Sequence, residues 1–413
     1  IGSNCFYQKN IEYVLLPSTL KTIKDSAFYD CKELKNVDFN SNCELQSIGY
    51  KAFNGCESLE RFDIPASVTS IFDNPFTHCS KLKYISVDDN NTVFTSQNES
   101  GTECNAVIDK RSNKLIVGSG TTIIPTTVTT IGGQAFLGND QLVSINIPSS
   151  VTTIRVQAFF ECSFLKYITF ENGLQTISET AFAYCKNLNN ITLPSSLKTI
   201  SNSAFSQCSK LSDISIENTS LTEIGTTAFE YCSSLKSITF PSSLQTISNY
   251  AFDRCGLTSV NIPANVSTVG INPFRLCKEL RTLTVDSNNS KYTSFGVNAL
   301  FETSTKKLIT GTISNAAYKD AFDAFLKLPS VIGDSAFWGM DGLIYTLKIP
   351  SNITAIEKNA FYSCSKLPAV DFSSVSSGFT IASNAFYNCY NLVDFVIPTN
   401  VTSIDYDAFY VSS

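Results

Sequence analysis

The chain holds one histidine, His78, and it stands directly before a cysteine in Phe76-Thr77-His78-Cys79. An imidazole beside a thiol is the composition of a nucleophilic dyad, in which the base takes the thiol proton. Cys79, however, is one of eleven cysteines that stand three residues after a recurring phenylalanine, and the other ten have no histidine neighbour. A position that repeats in this way belongs to the scaffold, so no catalytic role is expected for His78 or Cys79. The run Asp88-Asp89-Asn90-Asn91 offers oxygen ligands for calcium but lacks EF-hand spacing. Its later counterpart, Asp286-Ser287-Asn288-Asn289, has fewer carboxylates, and a solvated turn is expected at both. Gly118-Ser119-Gly120 lacks the Gly-x-x-x-x-Gly-Lys-Ser/Thr pattern of a phosphate loop, and a hairpin turn is the plainer reading. The absence of any Cys-x-x-Cys pair removes the zinc-ribbon signature. Neither a catalytic constellation nor a cofactor or metal site is therefore expected.

The element that carries these residues is a repeat. Phe28, Phe53, Phe76, Phe136, Phe159, Phe182, Phe205, Phe229, Phe252, Phe274, Phe337, Phe361, Phe386 and Phe409 head equivalent segments, and Phe6 heads a partial first one. Leu142, Ile145 and Ile147 have the spacing of a short strand with inward apolar side chains; Pro148 ends it for want of an N–H. Val151 and Ile154 begin a second inward stretch. Ala158 and Phe159 follow in a turn or short helix, and Cys162 closes the segment. One such unit cannot bury its apolar face alone, whereas stacked units make a continuous core. The cysteine position then becomes a ladder of buried free thiols. Cys43 and Cys104 fall in insertions and are expected to be the most exposed.

Two intervals are long. Phe76–Phe136 and Phe274–Phe337 share Asn-Pro-Phe at the start, then Val-Asp, an Asn-rich turn, Asn-Ala-apolar, and Lys-Leu-Ile-x-Gly at 114–118 and 307–311. Their alternating apolar residues suggest an inserted hairpin in each, at 88–120 and 286–328, and the resemblance of the two indicates a duplication. The second insert includes Asn315 to Leu328, expected as a short helix. Domain organisation is expected to be one solenoid over 1–413. Both ends fall inside a repeat, which suggests that the natural protein is longer.

Charged residues make up only 16% of the chain and the formal charge is −6, with no basic cluster, so nucleic-acid binding is not expected. No apolar run approaches the roughly 20 residues of a membrane span.

The motif L-x-x-I-x-I-P-x-x-L-x-x-I-x-x-x-A-F-x-x-C resembles the BspA-like leucine-rich repeats of the 23-residue class. That resemblance implies a right-handed superhelix with a parallel β-sheet on its concave side and short strands, turns and short helices elsewhere; the two inserted β-hairpins are read from the alternation above. It also implies a cell-surface or secreted protein of a mucosal bacterium or parasitic protist that attaches to a host or microbial macromolecule; a cytoplasmic scaffold is the alternative. On the strands, residues between the inward Leu and Ile face solvent. Most are short hydroxyl and amide side chains. Arg61, Asp63, Tyr84, Tyr167 and Thr169 are the binding candidates, since Tyr and Arg are enriched at interaction hot spots. The expected partner is a protein or glycoprotein.

Overall fold

The computed structural model describes residues 1–296, 298–312 and 319–412. It divides into two compact units, Ile1–Ile214 with Asn218–Ser220, and Ser215–Glu217 with Leu221–Ser413. Each unit is a parallel β-solenoid of stacked coils.

A coil of the first unit shows why this sequence winds. Leu142, Ile145, Ile147, Val151, Ile154, Ala158, Phe159 and Cys162 are all buried. Ser144–Ile147 is a strand whose Ser144 and Asn146 alternate outward. Val151 N–H closes a turn on Pro148 O, and Thr153–Ile154 forms a second, two-residue strand. The Ala-Phe segment is a turn rather than a helix. Ala158, Phe160 and Cys162 donate their N–H back three residues, while Gln157, Phe159 and Glu161 donate to Glu179, Ala181 and Ala183 of the next coil. This alternation requires left-handed residues on both sides of the phenylalanine, and Gln157 and Glu161 take φ of 57° and 58°. Each such residue costs roughly 1–2 kcal/mol, offset by the bond it makes to the next coil. The phenylalanine rings stack down the centre, with centroids 4.7 Å apart for Phe136–Phe159 and 4.9 Å for Phe159–Phe182.

The long first strand does not make the extended sheet expected of it. In unit 1 it pairs two by two: Tyr13–Leu16 with Asn36–Phe39, Arg61–Ile64 with Tyr84–Val87, and Ser144–Ile147 with Tyr167–Phe170. Proline accounts for this pattern. The first strand of each pair is followed by Pro17, Pro65 or Pro148; the second is followed by Asn40, Asp88 or Glu171, whose N–H donates back to Leu16, Ile64 or Ile147 O. A proline has no N–H with which to reach the preceding coil, so the ladder stops before each proline coil. In unit 2, Ser259–Ile262 and Thr282–Val285 repeat the arrangement, with Asp286 N–H on Ile262 O. The triple Leu347–Lys348, Ala369–Asp371 and Asp394–Val396 departs from it, since pairing there reaches the coil of Pro398.

The extended sheet runs instead through the two-residue strands. In unit 1, Thr130–Ile131, Thr153–Ile154, Thr176–Ile177 and the strands of the first insert share one sheet. Each insert is a three-stranded antiparallel meander rather than a single hairpin. The first comprises Phe94–Gln97, Glu103–Asp109 and Lys114–Gly118; the second Tyr292–Thr293, Leu300–Glu302 and Lys307–Thr310. The last strand of each takes the place of a Thr-Ile strand and pairs in parallel with Thr130–Ile131 or Val331–Ile332. The shared glycine of Lys-Leu-Ile-x-Gly follows from packing. A Cβ on Gly118 would lie 1.9 Å from the Phe136 ring, and one on Gly311 2.2 Å from Phe337.

The duplication extends to hydrogen bonds. Asn91 Nδ2 donates to Pro65 O and Val68 O, and its Oδ1 accepts from Val93 and Phe94 N–H. Asn289 makes the same four bonds, to Pro263 and Val266 O and from Lys291 and Tyr292 N–H. The second insert also carries the helix Lys319–Phe325, whose Phe322 packs on Phe337 at 5.3 Å. Positions 315–318 of the expected helix lie outside the described residues. Among the described residues, no helix is long and apolar enough to cross a membrane.

Candidate binding groove

The first four long strands and the first insert enclose a groove of about 1120 Å³ in unit 1. Cross-strand register sets what it presents. Arg61 stands opposite Tyr84 and Asp63 opposite Ser86, all on the outward side, while Phe62, Ile64, Ile85 and Val87 point into the core. Arg61 Nε donates to both carboxylate oxygens of Asp63, at 2.9 and 3.0 Å, and the Ser86 hydroxyl donates to the same carboxylate. The hydrogen bond and charge of Asp63 hold the Arg61 pKa above its usual value, and Glu103 of the insert adds to the effect. Tyr84 is 48% exposed beside this pair.

The insert supplies the facing wall. Glu103–Asp109 alternates, so that Glu103 and Asn105 line the groove while Cys104 and Ala106 are buried. Cys104 is therefore not the exposed thiol that its place in an insertion suggested; the strand turns it inward, and burial raises its pKa. Asp88, Asp89 and Asn90 form the rim. They make a turn held by Asp88 Oδ1, which accepts from Asn90 N–H and Nδ2, and Gln97 Nε2 donates to Asp89. With Asp38 and Asp63 the lining is strongly acidic, and Arg61 is its one cation among the described residues.

Arg61, Asp63 and Tyr84 are thus brought together. Tyr167 and Thr169 lie on another strand pair and do not line the groove. Tyr167 is 54% exposed with Lys166 Nζ 4.9 Å from its ring centroid, and the Thr169 hydroxyl donates to Asn146 Oδ1 at 2.7 Å. The sequence pointed to the inserts in general but not to Glu103 and Asn105. The alternation of Glu103-Cys104-Asn105-Ala106 marks which of these side chains face outward, but not what they face.

The structure places the histidine and the neighbouring cysteine in different surroundings. Cys79 is buried, and its Sγ donates to Phe53 O at 3.1 Å, as Cys56 does to Phe28 O and Cys162 to Phe136 O in their coils. His78 lies outside that ladder with a φ of 56°, and its Nδ1 is 3.7 Å from Glu161 Oε2. Among the described residues, no three His, Cys, Asp or Glu side chains gather as a metal-ligand group.

The family model described as "BspA type Leucine rich repeat region" matches residues 1–116, 119–233, 200–329 and 323–413. The chain belongs to the BspA-type leucine-rich repeat family. No curated protein matches the sequence. Three solved leucine-rich repeat proteins are similar to this chain. A leucine-rich repeat protein of Bacteroides ovatus is 22% identical over 97% of this chain and 84% of its own, with a TM-score of 0.48. One of Eubacterium ventriosum is 24% identical over 62% of this chain and 80% of its own, at 0.45. A leucine-rich cell surface protein of Faecalibacterium prausnitzii is 22% identical over 98% and 80%, at 0.40.

Proposed function

We propose that this BspA-type chain is a non-catalytic recognition protein that binds a protein or glycoprotein through the groove of unit 1. The observation that supports this reading is the convergence of Arg61 and Tyr84 with the Glu103 wall over an open volume of about 1120 Å³. An exposed tyrosine and an arginine ordered by its own carboxylate partner are suited to act as anchors, because little side-chain entropy is lost when they are covered. Asp38, Asp88, Asp89 and Glu103 select a partner segment that bears lysine or arginine. The same charge repels a phosphate backbone. Attachment at a cell surface or after secretion is the setting implied by the resemblance of the repeat. Binding of the fluorescently labelled full chain to epithelial or bacterial cells tests the reading: the Arg61→Ala/Tyr84→Ala variant should bind at least tenfold more weakly, and equal binding rejects it.

One observation favours a second reading, an intracellular scaffold: all fourteen cysteines are free thiols. Secreted proteins more often pair their cysteines. Recovery of the native protein with glycans on its Asn-x-Ser/Thr sites excludes this reading; a fully reduced, unglycosylated protein inside the cell supports it.

A further inference from the structure

The two inserts interrupt the phenylalanine ladder at equivalent points, and the coils on either side must close again. In unit 1 they close with polar side chains. Asn139 Nδ2 donates to Leu82 O at 3.2 Å, and Gln141 Nε2 donates to Ser80 O at 3.2 Å. His78 lies over Gly138, where an added Cβ would meet Nδ1 at 2.4 Å. Unit 2 places Leu276 over Gly339 in the same relation, with a Cβ-to-Cδ2 distance of 2.4 Å. There the similarity ends. The residues aligned with Asn139 and Gln141 are Met340 and Gly342, neither of which can donate from its side chain.

The space that Asn139 and Gln141 fill in unit 1 is left in unit 2 as a pocket of about 90 Å³. Its walls include Leu276, Leu280, Trp338 and Met340, with Gly342 at the place of the missing glutamine. Lys278 and Asp341 cross its rim as an ion pair at 3.5 Å. Trp338 is rigidly held, because its ring stacks on Tyr362 at 4.0 Å and lies 4.7 Å from the Arg275 guanidinium. Arg275 is fixed in turn by two bonds to the fully buried Asp253, at 2.8 and 2.9 Å. The pocket cannot collapse by moving that wall. The lining is mainly apolar but includes Asn272 and Thr312, and a preformed, mostly apolar pocket with a few polar groups admits small molecules of matching character.

We propose that this pocket is a binding site for a small neutral aliphatic molecule. A benzene-sized ligand occupies an engineered cavity of about 150 Å³, so 90 Å³ corresponds to roughly four carbon atoms. The flexible thioether of Met340 adapts to the shape of the chain, and the Lys278–Asp341 pair leaves a terminal hydroxyl at the mouth.

The chain carries its own reporters, since Trp338 is its one tryptophan and Met340 its one methionine. The experiment titrates the full chain with 1-butanol, following Trp338 emission and the single resonance of methyl-13C-labelled Met340. The proposal expects a saturable emission shift and a nuclear Overhauser effect between the butanol methyl and the Met340 methyl. The saturable emission shift should be lost in Met340→Asn/Gly342→Gln, which restores the side chains of unit 1; the Overhauser effect is read in the native chain alone, because the variant lacks the reporter methyl. A linear emission response with no Overhauser effect overturns the proposal, as does an identical saturable response in the filled variant. If that variant does not fold, the Overhauser effect in the native chain decides alone.

Discussion

The Sγ of Cys162 donates to the carbonyl oxygen of Phe136, 3.0 Å away in the coil before. The relation recurs for Cys185 with Phe159 and Cys208 with Phe182, both at 3.1 Å. In the last coil the hydroxyl of Ser412 makes the bond instead, to Phe386 O at 2.9 Å. Outside the partial first coil and the coils that follow the inserts, where Asn139 and Met340 stand, the position holds a small side chain with a donor, and the thiol is there for packing and hydrogen bonding. Cys185→Ser should cost less than about 1 kcal/mol, whereas Cys185→Val removes the donor and adds bulk for about 2–3 kcal/mol. Urea unfolding midpoints separate the two variants.

Burial raises the thiol pKa from the ordinary 9.0 to about 11 at Cys31 and about 12 at Cys389. The folded chain holds protons that the unfolded chain releases, so this contribution to stability is complete below pH 9. It falls as pH rises from about 9 towards 11 and 12. The melting temperature should be flat from pH 7 to about 8.5 and drop above it. In thiol labelling at neutral pH, exposed Cys5 should react first and the ladder only on unfolding.

Phe182 is fully buried between Phe159 at 4.9 Å and Phe205 at 5.2 Å. Phe182→Ala should destabilise by about 3–5 kcal/mol. Tyr167→Ala, one strand away on the solvent side, should stay within about 0.5 kcal/mol. Comparable losses in urea unfolding would mean that the phenylalanines are not the centre of the coil.

The inserts are held by single residues. Gly118→Ala places a methyl 1.9 Å from the Phe136 ring and should cost at least about 2 kcal/mol. Asn91→Ala leaves two carbonyls and two N–H groups without their side-chain partner, at about 1–3 kcal/mol for each group that water does not reach. Limited proteolysis should then cut within residues 92–113 while the coils around Phe159 and Phe182 remain intact.

Much of the fold was legible because a 22- to 25-residue period, once seen at Ala-Phe and Cys, fixes which residues point inward. The burial of Leu142, Ile145, Ile147, Val151, Ile154 and Phe159 follows from that period alone. Strand pairing was less legible. It depends on whether the residue after the strand has an N–H, and the effect of Pro65 or Pro148 is felt in the coil before it. The inserts were recognised as alternating segments, but alternation does not distinguish a hairpin from a meander whose third strand joins the parallel sheet. Cys104 was misplaced for the same reason: an insertion suggests a loop, and here it is a strand with a buried face. At the groove, Arg61, Asp63 and Tyr84 were legible from strand alternation. Glu103 and Asn105 come from across the insert, and no local pattern sets them against Tyr84.

The central functional claim is that a partner is held in the groove between the Arg61–Tyr84 strands and Glu103. Site-specific photo-crosslinking measures it directly, with benzoylphenylalanine placed in the full chain at position 84, and separately at 167, and exposed to intact cell-surface proteins. The account predicts a discrete crosslinked protein from position 84 and none from 167, displaced by unlabelled chain but not by Arg61→Ala/Glu103→Lys. Equal capture at both positions, or equal displacement by the variant, would contradict it.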